Sequence, residues 1–261
     1  MLVSNLKIIF MCITLLLSVV FPVVLAVVVL KKYSGVLKSI LIGALIFFIS
    51  QVVLRIPILQ ILSKQNYFVE FSKHYIVYSL FLGLTAGVFE EVGRYVGFRG
   101  FLKDRLDYQN GLAYGVGHGG IESILIVGMS YINNIVYSFL INSGSLDILL
   151  KGKVSPEVIK SIKSALIETP ASTFLLAGFE RVFTMAIQIA LSLLVLVAVK
   201  KGKLYYLVLA ILLHTIIDTP VAYMSLLRVN IFAIEFVVLL WAVLSLVYII
   251  KWKDIHRIQE S

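Results

Sequence analysis

Apolar residues fall into seven long blocks, broken by short polar stretches, at about 8–30, 39–62, 75–98, 111–140, 173–199, 204–226 and 230–250. At about 1.5 Å of rise per residue, a helix of some 20 residues crosses a hydrocarbon core of about 30 Å. The blocks lack the ten-residue alternation of barrel strands, so the pattern predicts helices. Pro22 predicts a kink in the first. Arg55 beside Pro57 predicts a bent or interfacial far end of the second. The interval 142–172 breaks the series and is expected to be a long extracytoplasmic loop. Ser155 and Pro156 there have the character of an N-cap and a first helical residue. Val158, Ile159, Ile162, Ala165 and Leu166 recur at helical spacing, with Lys160 and Lys163 opposite. This predicts a short amphipathic helix, lying on the membrane surface or packed on the bundle. With no internal repeat, the expected architecture is all-α. It is a polytopic bundle of about seven transmembrane helices plus one short interfacial helix, forming a single membrane domain over 1–261.

Composition agrees. Of 261 residues, 60% are hydrophobic and 14% charged, whereas soluble domains are nearer half and a quarter. The single cysteine, Cys12, lies inside the first block, so neither a disulfide nor a cysteine metal cluster can form within the chain. That block is too long for a signal-peptide core and lacks a small-x-small cleavage site, which predicts a retained span. The net charge of +9 is explained by basic residues at helix mouths and points to the lipid bilayer rather than to nucleic acid. Twelve lie after the odd-numbered blocks: Lys31, Lys32, Lys38, Arg99, Lys103, Arg105, Lys200, Lys201, Lys203, Lys251, Lys253 and Arg257. Eight lie on the other side, four of them in the long interval. The bias places the amino terminus outside and the carboxyl terminus in the cytoplasm.

Charges at membrane depth are costly and usually mark a pathway or a reaction site. Glu90 and Glu91 sit in the third block, with Arg94 four and three residues on, so both carboxylates can face the guanidinium, one held as an ion pair while the other keeps a lone pair free for chemistry. His118 and Glu122 are four apart in the fourth block, as are His214 and Asp218 in the sixth. Counting inward from the flanking charges puts Glu91 roughly 12 Å deep, His118 roughly 10 Å and His214 roughly 16 Å. Three independently placed segments thus carry their polar groups at overlapping depths. Gln188 reaches towards the same plane. Glu180 and Arg181, near the outer end of the fifth block, are expected to be interfacial or ion-paired, and Glu235 carries a weak functional hypothesis at most.

A carboxylate kept from bulk water can act as a general base. Two histidines can orient a water and hydrogen-bond an oxyanion, and Asp218 can fix an imidazole tautomer. No serine or cysteine stands in a nucleophile motif, so activated water is the expected nucleophile for hydrolysis of an amide. His118, Glu122, His214 and Asp218 are also of the types zinc accepts. No HExxH motif is present, and spacing alone leaves metal and metal-free chemistry both open. A proton- or cation-coupled carrier, or a non-catalytic immunity or scaffold protein, stands as the other class; the lack of a twofold repeat favours the enzyme.

The stretch Glu90-Glu91-Val92-Gly93-Arg94 resembles, with two rather than three residues before the arginine, the EExxxR motif of the glutamic intramembrane proteases related to the type II CAAX prenyl endopeptidase (the CPBP superfamily). Tyr114 to His118 is similar to that family's FxxxH motif, with tyrosine for phenylalanine. His214 to Asp218 is similar to its HxxxN motif, with aspartate in the last place. Gly117-His118-Gly119-Gly120-Ile121-Glu122, after a double glutamate, resembles more closely the YhfC branch, described both as metalloprotease-like and as glutamic-type. The resemblance implies an intramembrane endopeptidase acting on a membrane-associated peptide or protein. Glu90 would activate water, supported by Glu91 and Arg94. His118 would polarise the water, and His214 with Asp218 would stabilise the oxyanion. Tyr114 and Glu122 are the expected substrate-side residues. No cofactor is favoured, and zinc is the possible one, on His118, Glu122, His214 and Asp218.

Overall fold

The structure is a computed structural model describing residues 2–259, with side chains through Trp252. Lys253 and Arg257 of the expected basic tail lie outside the described side chains. Among the described residues, seven helices are long and apolar enough to cross a membrane: α1 (Asn5–Lys32), α2 (Leu37–Leu62), α4 (Tyr75–Phe101), α5 (Tyr108–Asn142), α8 (Ala171–Lys201), α9 (Tyr205–Leu226) and α10, whose membrane-length part is Ile231–Trp252. Three short helices join them: α3 (Asn66–Ser72), α6 (Leu146–Leu150) and α7 (Pro156–Glu168). No strand occurs among the described residues. The protein is thus an all-helical, multi-pass membrane protein. Val23, Val24, Val27 and Val28 on α1 are exposed, as lipid-facing positions are expected to be. The interval 142–172, expected to be mostly loop, is largely helical.

Prolines account for two of the departures from regular α-helix. Pro22 has no N–H for the carbonyl four residues back, and the preceding turn widens to a π-helix over Leu16–Val20. The Ser18 carbonyl accepts instead from Ser123 Oγ at 2.9 Å. Pro57 similarly follows a π-helical stretch, Phe48–Arg55. The wide turn carries Gln51 and Arg55 inward, so the expected interfacial end of this block is in fact a polar face inside the protein.

The chain divides into two compact units. One comprises the chain through Phe21 with Ser123–Val182. Its core is Val3, Met11, Tyr131, Ile141, Leu146, Leu166 and Phe174, and Ile159, Ile162 and Ile167 of α7 pack against it. The apolar edge of the amphipathic helix therefore meets protein. The Phe174 carbonyl accepts from Thr14 Oγ1 at 2.5 Å and Tyr131 Oη at 3.1 Å. Arg181 pairs with Glu180, as expected of a structural pair.

The other unit, Pro22–Glu122 with the chain from Phe183 on, holds the candidate site. Its helices approach through glycines. A Cβ on Gly43 would meet the Tyr114 carbonyl, and one on Gly117 the Ile40 backbone, so α2 and α5 touch main chain to main chain. Gly83 and Gly87 face the Thr215 and Ile211 carbonyls in the same way, joining α4 to α9. Gly111, Gly115 and Gly119, one per turn of α5, face Leu193, Ile189 and Gln188 of α8. Here Gly117→Ala is expected to lower thermal stability in detergent sharply. Backbone cannot move aside as a side chain can, so the cost exceeds the about 1–3 kcal/mol of ordinary overpacking. Gly100→Ala, with open space around it, is the control and should be silent in the same unfolding scan.

Candidate active site

Arg94 is the centre of the site and has no exposed surface. A guanidinium buried at membrane depth needs charged and hydrogen-bonding partners on every side. Its Nη2 lies 3.2 Å from Glu90 Oε2 and 3.0 Å from His118 Nε2, and it also donates to Gln188 Oε1. Nη1 donates to the Gln188 carbonyl at 3.0 Å and to Ser192 Oγ at 2.5 Å. Nε lies 3.1 Å from Glu91 Oε2, a charge contact that lacks hydrogen-bond alignment. The i+4 and i+3 spacings thus work as expected, but both carboxylates touch the arginine.

The two oxygens of Glu90 differ. Oε2 meets Arg94, His118 Nε2 at 3.0 Å and Gln188 Nε2 at 3.3 Å. Oε1 accepts from Gln51 Nε2 at 2.7 Å and lies 4.0 Å from His214 Nε2. Oε1 is therefore the less crowded oxygen. Glu91 Oε1 pairs with His214 Nδ1 at 2.6 Å, so Glu91 is the closer orienting carboxylate for that ring. Asp218 Oδ2 is 3.4 Å from His214 Nε2, with 42% of its side chain exposed. Glu122 Oε2 accepts from Gln188 Nε2 at 2.6 Å.

Helices α4, α5 and α9 thereby bring Glu90, Glu91, Arg94, His118 and His214 into one buried cluster, with Asp218 and Glu122 at its edges. Tyr114 is fully buried. Its ring stacks on Phe98, with centroids 4.4 Å apart, and lies 6.2 Å from the His118 ring. It reaches the cluster through His118. Phe47 supplies an edge contact on His118, with centroids 5.1 Å apart. Gln51 and Ser192 have no role in the sequence reading, and Arg55 only marks a bent or interfacial end. A signal was present, since Gln51 with Arg55 and Gln188 with Ser192 are again four apart within apolar runs.

Among the described residues, two donor groups are close enough to hold a metal: Glu90, His118 and Glu122, and Glu90, Glu91 and His214. The quartet suggested by the sequence does not form one group. His118 and Glu122 fall in the first, His214 in the second, and Asp218 in neither. The first group fits a cation poorly, because Arg94 Nη2 already faces His118 Nε2 and Glu90 Oε2, while Gln188 holds Glu122. The second fits better. Arg94 touches it through Glu91 Oε2 and Glu90 Oε2, while the Oε1 atoms face Gln51 and His214. Four carboxylates (Glu90, Glu91, Glu122 and Asp218) against Arg94 and Arg55 leave an excess of two negative charges, which two protons or one divalent ion would balance.

Membrane-length helices around a buried carboxylate–arginine–histidine cluster define a polytopic membrane protein with a buried cluster of ionisable groups. The chain belongs to the YhfC intramembrane metalloprotease family, whose sequence model matches residues 16–240. It is 38% identical over 257 residues to the uncharacterized membrane protein YhfC of Bacillus subtilis (strain 168), covering 98% of this chain and 100% of that one. No solved structure matches it.

Proposed function

We propose that the protein is an intramembrane endopeptidase that cuts a membrane-associated peptide with water activated by Glu90. The observation that carries this reading is the asymmetry of Glu90. Its Oε2 is held by Arg94, His118 and Gln188, while Oε1 faces His214 Nε2 across 4.0 Å. A water about 2.8 Å from each would sit at roughly a right angle between them. Glu90 takes a proton from that water, and the hydroxide attacks the carbonyl carbon of the scissile amide. His214, flanked by Glu91 and Asp218, donates Nε2–H to the oxyanion. Glu90 then passes its proton to the leaving nitrogen as the C–N bond breaks, yielding a carboxylic acid and an amine. Arg94 and His118 hold Glu90 in place. Glu122 and Asp218, at the cluster's edge, face the substrate side, and Tyr114 backs His118.

The EEVGR, Tyr114–His118 and His214–Asp218 motifs support kinship with the CPBP superfamily. The basic-residue bias supports an external amino terminus. A second reading is favoured by the family's description as metalloproteases and by the second donor group. Glu90, Glu91 and His214 would hold zinc, which when bound would polarise the scissile carbonyl and water.

Bound metal and cleavage of a membrane-peptide library by the purified protein, with and without chelator, separate the two. Cleavage is expected to survive chelation. Stoichiometric zinc with activity lost on chelation overturns the glutamate mechanism. A protein that cleaves nothing, with or without zinc, overturns the enzyme and shifts weight to a carrier or scaffold.

A further inference from the structure

Gln51 and Arg55 lie on α2, outside the three helices that carry the acid–base groups, yet they make the contact on the less crowded side of Glu90. Gln51 is buried, and its Nε2 donates to Glu90 Oε1 at 2.7 Å. Its Oε1 accepts from Arg55 Nη1 at 3.2 Å. A guanidinium can only donate, so Arg55 settles which end of the amide is oxygen and turns the NH2 towards Glu90. Arg55 is itself tied to α4. Nη2 donates to the Leu82 carbonyl at 2.8 Å and Nε to Thr85 Oγ1 at 3.2 Å. Thr85 Oγ1 donates to the same carbonyl at 3.1 Å. Leu82, Thr85 and Glu90 share one helix, so the relay leaves α4, passes through α2 and returns to the carboxylate. The π-helical stretch Phe48–Arg55 is what aims both side chains inward.

We propose that Gln51 is a positioning residue for the hydrolytic base, fixing the Oε1 lone pair of Glu90 that faces His214, and that Arg55 acts through Gln51. This rests on the hydrolytic reading above. Oε1 has two lone pairs, and an N–H on one leaves the other for the water proton. Without that donor the carboxylate is tied through Oε2 alone, so Oε1 can swing about those contacts and its angle towards His214 is lost. The base keeps its charge but not its direction, a loss that falls on the chemical step rather than on substrate binding.

Two readouts test this in the full-length protein in detergent. In cleavage assays Gln51→Leu is expected to lower kcat about ten- to a hundredfold, as loss of an orienting partner does, with KM within about twofold. Arg55→Gln should behave alike, and the double variant should be no worse than either single one, because Arg55 works through Gln51. Gln51→Met separates orientation from packing. It keeps the length and roughly the volume, has no N–H for Glu90, and is expected to be as slow as Gln51→Leu.

The second readout needs no turnover. With carbon-13 glutamate, the infrared difference between Gln51→Leu and the parent should show a shifted carboxylate band that is missing when the pair is compared in a Glu90→Gln background. Arg55→Lys should produce part of the same shift, since one ammonium cannot serve Gln51, Leu82 and Thr85 together. A band unaffected by Gln51, or an unchanged kcat alongside a lowered melting temperature, overturns the inference and reduces Gln51 and Arg55 to a helix tie. A parent protein that cleaves no peptide overturns the hydrolase reading, while the band still decides for or against the Gln51–Glu90 contact.

Discussion

Glu90→Gln is expected to lower kcat by about 10²–10⁴-fold, the usual contribution of a positioned general base, with KM nearly unchanged. The substitution removes the group that accepts the water proton and changes little volume. It is not structurally silent. Oε1 faces the NH2 of Gln51, and Oε2 faces Arg94 and Gln188, so either placement of the new amide sets a donor against a donor. The cost of about 1–3 kcal/mol should show as a lowered melting temperature in detergent, while substrate-peptide binding persists. Glu91→Gln separates the two acids. Its carbonyl oxygen can still accept from His214 Nδ1, now 2.6 Å from Glu91 Oε1, so it should retain more activity. Equal loss from the two substitutions would argue that the acids act as a pair, as shared ligands would. Parent-like cleavage by Glu90→Gln would remove Glu90 as the base.

Arg94→Leu is expected to have the largest effect on folding. It leaves Glu90 and Glu91 buried side by side without their guanidinium, and strips Gln188, Ser192 and His118 of their common partner. Removing one member of a buried charged network costs about 3–5 kcal/mol. The outcome to measure is the yield of monodisperse protein in mild detergent and its unfolding midpoint. Arg94→Lys tests whether charge or shape matters. An ammonium restores the charge but cannot reach Glu91, His118, Ser192 and Gln188 from one point. It should recover part of the yield and little of the cleavage. Full recovery of both would mean that a point charge suffices.

Much of this was legible in the chain because lipid makes the code simple. A helix must satisfy its own backbone in hydrocarbon, so long apolar runs translate directly into spans. The expected bounds lie close to the observed ones, 75–98 against Tyr75–Phe101 and 204–226 against Tyr205–Leu226. Charges are rare enough at depth that Glu90, Arg94, His118 and His214 stood out by presence alone. The four-residue spacing put each pair on one face. Gln51 and Arg55 have the same spacing, but Pro57 beside Arg55 points to a bent or interfacial end. The widened turn over Phe48–Arg55, which places them inside, is a property of packed helices that hydropathy does not carry.

The sequence by itself therefore determined the number, order and approximate ends of the spans, their all-helical character, and which polar residues sit at a common depth. It did so because hydrophobicity and helical periodicity are local quantities. Tertiary structure alone decided the partners. Depth places Glu90 and Glu91 in the same layer. The rotation of α9 against α4, set where Gly83 and Gly87 meet the Thr215 and Ile211 carbonyls, is what gives His214 to Glu91. The glycine seam between α5 and α8 brings Gln188 to Arg94 and Glu122. Which carboxylate oxygen is tied down and which is left free depends on contacts among helices distant in sequence, and no spacing within one helix encodes them.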